Sequence, residues 1–154
     1  MATGGDFDLQ DFLPYLLNQA AEATSRGFQA SYRARHGLTR TQWRVMANLG
    51  RFGAMTARDI CRISHIEKTK VSRAVAGMEA EGLLSRATSA EDRRAENLSL
   101  TEKGRTVFAE IGRQAIDFDA DLRSRLGPER AARFDSILRE IIALQSDSAP
   151  AEDN

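Results

Sequence analysis

Apolar residues recur along most of the chain at three- and four-residue steps, the spacing that gathers them on one face of a helix. Leu9, Phe12, Leu13, Leu16, Leu17 and Ala20 begin such a stripe, and Phe28, Ser31 and Tyr32 carry it towards Gly37, where it stops. Pro14 is tolerated only in a first turn, so the helix is expected to start nearby with Asp11 as its cap. In "LTRTQWRVMANLG", Thr39 and Gln42 have the spacing of a capping box, Trp43, Met46 and Leu49 mark a buried face, and Gly50 is the expected end. "TARDICRIS" repeats the device on a smaller scale, with Thr56 as cap, Asp59 three residues on, and Ile60, Cys61 and Ile63 apolar.

The next segment, "EKTKVSRAVAGMEAEGLL", sets Val71, Val75 and Met78 on one face and Lys68, Thr69, Ser72, Arg73 and Ala76 on the other. The period then changes from helical to alternating. Leu83 to Ala87 and Asn97 to Thr101 are short strand candidates, joined by the charged run Glu91, Asp92, Arg93, Arg94 and Glu96. Thr101 is placed to cap another helix, whose stripe is Val107, Phe108, Ile111, Ala115, Phe118 and Leu122. Gly127 followed by Pro128 opens a last helix bearing Phe134, Ile137, Leu138, Ile141 and Leu144, and residues 147–154 form a polar tail expected to be disordered. Two short helices joined by a tight turn and followed by a two-stranded hairpin are the pattern of a winged helix-turn-helix. The expected fold class is therefore mainly α with a small β wing.

The chain's 154 residues suffice for one domain without a disulfide or metal. Its single cysteine, Cys61, excludes an internal disulfide and fits a reducing compartment; with no long apolar run and no leader pattern, a cytoplasmic protein off the membrane is expected. Net charge is zero, which argues against a generic polyanion binder, but its distribution is uneven. Between Arg51 and Arg105 there are 11 basic and 8 acidic residues, whereas Asp6, Asp8, Asp11 and Asp147, Glu152, Asp153 make both ends acidic. There is no glycine-rich phosphate loop, no G-x-S-x-G, no paired-cysteine spacing and only two histidines, so no enzyme chemistry is indicated and no cofactor is expected.

At the wing the spacing becomes specific. Asp92, Arg94, Leu98, Leu100, Thr101 and Gly104 form a D-x-R followed by L-x-L-T and a glycine three residues on. With "LTRTQWRVMANL" and "KTKVSRAVAGMEAEGLL", this resembles the MarR family of bacterial transcriptional regulators over nearly the whole chain. The resemblance implies a DNA-binding portion over 38–101, a helical dimerisation portion over 9–36 and 102–146, an obligate homodimer, and a ligand or oxidant that weakens DNA binding. Glu67 stands where the family often has Asp to open the recognition helix, and is a weaker cap. The redox-sensing branch carries its reactive cysteine in the first helix, where this chain has none.

Candidate contacts follow from groove chemistry. Lys68, Thr69, Ser72 and Arg73 supply a face of short polar and basic side chains suited to base edges in a major groove, with Lys70 near the phosphates. The same face would suit an ordinary solvated helix; the preceding short helix and following hairpin favour the DNA reading. By similarity to the family, Arg94 enters the minor groove, Arg93 meets a phosphate and Asp92 orients the loop. Leu98 and Leu100 share a strand face and should pin the hairpin to the domain. The family also implies an effector crevice for which Tyr32, His36 and Trp43 are candidates, with a small aromatic or phenolic acid as ligand; the alternative is that Trp43 is core and His36 a helix C-terminal cation. Cys61 reads as core rather than sensor, and with His65 alone it makes a poor metal site. The rival reading of the whole chain is a helical protein-interaction module without DNA binding.

Overall fold

The computed structural model describes residues 6–88 and 90–146, so the tail expected over 147–154 lies outside the described residues. The chain divides after Gln114 into two compact units. The first holds α1 (Leu13–His36), α2 (Arg40–Phe52), β1 (Met55–Thr56), α3 (Ala57–Ser64), α4 (Lys68–Ala80), β2 (Leu84–Thr88), β3 (Glu96–Leu100) and the opening turns of α5 (Glu102–Leu126); the second holds the rest of α5 and α6 (Pro128–Ser146).

Helix ends follow the local chemistry with two exceptions. The capping box of Thr39 and Gln42 is complete, Thr56 accepts from the Asp59 amide at 3.1 Å, and Gly37 closes α1 in the left-handed region. Asp11, however, does not cap α1. Asp8 accepts from the Gln10 amide and starts a 3-10 turn over Leu9–Asp11, and α1 begins beyond it with Phe12 at the cap position and no side-chain cap. Gly50 does not end α2 either. The helix continues to Phe52 and is closed by Gly53 at φ 78°. Gly50 is there for contact: a Cβ on it would stand 2.5 Å from the Phe108 ring, so its bareness lets α2 and α5 approach.

Three strands form an antiparallel sheet in the order β1-β3-β2. The hairpin lies one residue from its expected limits at each strand, while β1 was not foreseen; its Met55 pairs with Leu98. Leu84 faces Leu100 across the hairpin, and Leu98 is 1 % exposed. Burying a leucine of this kind stabilises by about 1.5–3 kcal/mol, enough to hold a short hairpin on its domain. One core gathers Tyr32, Val45, Met46, Leu49, Ile60, Val71, Val75, Met78, Leu98 and Ile111. Cys61 packs partly buried against it, whereas Ile63 of the same apolar set is exposed.

Candidate nucleic-acid interface

The two faces of α4 meet different surroundings. Val71, Ala74, Val75 and Met78 are buried, while Lys68, Thr69, Lys70, Ser72, Arg73 and Ala76 are exposed. Behind it, α2 comes so close that a Cβ on Gly77 would stand 2.8 Å from the Gln42 amide nitrogen. Glu67 occupies the cap position of α4 without a side-chain hydrogen bond, so the amides of the first turn lack that partner. Among the described residues no ion pair engages Lys68, Lys70 or Arg73, although Arg26, Arg40, Arg62, Arg86 and Arg123 all have carboxylate partners. The positive charge of α4 is thus unneutralised on its outer face.

The wing signature resolves into separate contacts. At the tip, an Asp92 carboxylate oxygen accepts from the Arg94 amide at 2.9 Å and the Asp92 carbonyl accepts from the Ala95 amide at 3.0 Å, closing the turn that carries the exposed Arg93 and Arg94. At the base, Arg86 on β2 donates through Nε to Glu79 on α4 at 3.0 Å and through Nη1 to Glu96 on β3 at 3.3 Å. Thr101 donates its hydroxyl to the Gly82 carbonyl at 2.6 Å and accepts from the Gly104 amide at 3.0 Å. Gly104 has no room for a side chain, since a Cβ there would fall 1.9 Å from the Leu83 carbonyl oxygen. Arg86 and Glu79 were missed in the sequence because seven residues separate them across a change from helix to strand.

Tyr32 and Trp43 come together in an aromatic cluster. The Tyr32 ring lies 5.4 Å from Phe28 and 5.7 Å from Trp43, and Trp43 stacks on Phe108 at 6.3 Å. Tyr32 is 1 % exposed, and its burial raises the phenol above its ordinary range, an effect the nearby Arg40 charge opposes. His36 Nε2 lies 3.4 Å from Glu110 Oε2, and like Gln114 Oε1 it is a buried atom without a hydrogen bond. Phe108 and Glu110 join this region from α5, which sequence spacing does not link to α1 and α2.

At the start of α2 the structure adds two further cations. Arg44 donates through Nη2 to the Ser64 carbonyl, and Asn48 donates to the Ser64 hydroxyl at 2.9 Å, so α2 grips the turn that precedes α4. Burial first, and then repulsion from Arg40, lower the Arg44 pKa from its ordinary value, though a guanidinium stays protonated in proteins. Arg40 donates to Glu22 on α1 at 2.6 Å, and that bond, with a second from Arg26, holds the Glu22 carboxyl below the usual carboxylate range. His65 closes α3 with φ 54°, a left-handed conformation uncommon outside glycine.

A MarR family profile matches residues 36–95. The crystal structure of a MarR family transcriptional regulator from Silicibacter pomeroyi is 31 % identical, covers 91 % of this chain and 99 % of its own, and superposes with a TM-score of 0.79. The chain belongs to the MarR family. Among its MarR-type relatives, the homoprotocatechuate degradative operon repressor of Escherichia coli is 27 % identical over 136 residues, 88 % of this chain and 91 % of that protein. Bordetella bronchiseptica BpsR, described as regulated in its DNA binding by 6-hydroxynicotinic acid, shares the fold at 23 % identity, covering 89 % of this chain and 97 % of its own with a TM-score of 0.77. This MarR-family chain is a DNA-binding transcriptional regulator with a winged-helix fold. Among the described residues no helix is long and apolar enough to cross a membrane, and no group of three or more His, Cys, Asp or Glu is arranged to hold a metal ion.

Proposed function

We propose that this protein is a cytoplasmic, effector-responsive repressor that binds a pseudo-palindromic operator as a homodimer. Lys68, Thr69, Ser72 and Arg73 read base edges in the major groove, Lys70 meets the backbone, and Arg94 enters the adjacent minor groove with Arg93 on a phosphate and Asp92 setting the loop. The observation that carries this reading is the unneutralised basic face of α4 beside a wing whose tip turn is closed by the Asp92–Arg94 hydrogen bond. An interaction module without DNA binding has no use for that pairing of features.

Dimerisation is supported by apolar side chains left at the surface. Leu9, Phe12, Leu13 and Leu16 near the N-terminus and Phe134, Ile137, Ile142 and Leu144 on α6 are all exposed. Each of these groups of exposed large apolar residues supports an interface, and two helix-turn-helix units bind DNA best when a dimer spaces them about one helical turn, ~34 Å, apart. For the effector, the aromatic cluster of Tyr32 and Trp43 with the neighbouring His36 suits an aromatic acid. The repressor of a homoprotocatechuate operon and the response of BpsR to 6-hydroxynicotinic acid favour the same chemical class.

The deciding experiment is duplex binding by Arg94→Ala at moderate salt, with the oligomeric state followed alongside. The variant should bind more weakly and with a shallower salt dependence, its assembly unchanged. Operator affinity equal to the wild type's would sink the wing assignment.

A further inference from the structure

A cleft of about 250 Å³ opens between the first turn of α2 and the turn leading into α4. Arg40, Thr41, Arg44, His65, Glu67 and Lys70 line it, three permanent cations against one carboxylate. Arg40 and Arg44 are one helical turn apart, a like-charge pair that disfavours its own helix. Arg44 is fixed by its bond to the Ser64 carbonyl, so it cannot swing away into solvent. Lys70 also borders the neighbouring groove with Thr69 and Arg73, so the cleft is continuous with the base-reading face of α4. The carboxylate on Arg40 comes from outside the DNA-binding elements: Glu22, on α1, reaches it at 2.6 Å while also pairing with Arg26 at 3.1 Å.

We propose that this cleft seats a backbone phosphate of the bound duplex between Arg40, Arg44 and Lys70, and that Glu22 occupies Arg40 in the DNA-free protein and competes with that phosphate. The inference rests on the DNA-binding reading above and adds two contacts and a competitor to it. A phosphodiester carries a full negative charge and two non-bridging oxygens that a guanidinium fork can grip as it grips a carboxylate, and the carboxylate now on Arg40 is shared with Arg26. The contact carries no base information and therefore acts equally on any sequence.

The test uses the full chain and a short mixed-sequence DNA duplex, with affinity measured across a range of salt. Each lost phosphate contact lowers the slope of log K against log salt by ~0.9 per subunit. Arg40→Gln should show that reduction, Arg40→Lys should restore the slope, which counts charge, while regaining only part of the affinity because the fork is lost, and Glu22→Gln should tighten binding several-fold at low salt. Circular dichroism of each variant excludes unfolding as the cause. A wild-type slope in Arg40→Gln, while Arg94→Ala has a reduced one, overturns the phosphate seat and leaves the DNA-binding reading standing. An Arg40→Lys protein whose slope is as reduced as that of Arg40→Gln does the same. Unchanged affinity in Glu22→Gln removes the competition. Absence of duplex binding by the wild type at low salt overturns the parent reading and this one together.

Discussion

The helix α4, proposed to read DNA, and the terminal helix α6 look alike as strings of residues and behave differently as objects. Both set apolar side chains at helical spacing among charges. In α4 the apolar side is consumed: Val71, Val75 and Met78 are each at most 1 % exposed, so what remains for a partner is polar and basic. In α6 only Ala131 is buried, while Phe134, Ile137, Ile142 and Leu144 stay at the surface. One helix has satisfied its hydrophobic face within the chain and offers charge outward. The other offers the hydrophobic face itself. The first suits a hydrated polyanion whose grip depends on salt, the second a protein surface that can exclude water.

That contrast can be broken in graded ways. Met78→Ala should cost about 2–5 kcal/mol of folding stability, because it empties a core site; thermal melting checks it, and the loss should not depend on protein concentration. Ile137→Asp should leave the secondary structure intact and dissociate the proposed dimer, so that sedimentation shows single chains and the melting temperature no longer rises with concentration. A variant that stays dimeric would mean that the exposed face of α6 lies outside the interface. Arg73→Ala should leave stability and assembly unchanged and lower affinity or relax base preference by about 1–3 kcal/mol, read by competition among duplexes. A footprint unchanged in sequence and strength would remove Arg73 from the reading face.

The smallest effect concerns pH. Hydrogen bonds from Arg139 and then Arg123 hold the Asp135 carboxyl below its ordinary value. A lowered carboxylate contributes stability that is present above its unfolded pKa and lost as pH falls through the folded one. Asp135→Asn should therefore melt slightly below the wild type at neutral pH and converge with it in acid. Because these groups are exposed, the difference is small and shrinks with added salt.

Much of this was legible in the residues because it is local. The capping box at Thr39, the caps at Thr56 and Thr101, the inward face of α4 and the pinning role of Leu98 all depend on neighbours a few positions away. What escaped needed distant partners. Gly50 looked like a terminator because glycine usually ends helices, yet its reason is the Phe108 ring, 58 positions along. Strand β1 is two residues long, too short to show a period, and exists only because β3 lies beside it. The cleft at Arg40 and Arg44 needs α1, α2 and the turn before α4 to meet, and no spacing rule links Glu22 to Arg40.

The double ion pair of Arg86 has a mechanical meaning. One guanidinium rivets the end of α4 to both strands of the wing, and the bare Gly104 presses the start of α5 onto the Leu83 backbone beneath them. The helix proposed for the major groove and the hairpin proposed for the minor groove are thus fastened into a single jaw. A signal that bends such a jaw must tear several contacts at once. In the proposed homodimer, changing the gap between two such jaws asks far less, so a regulator built this way is best switched off at the spacing of its subunits, with each tooth left as sharp as before.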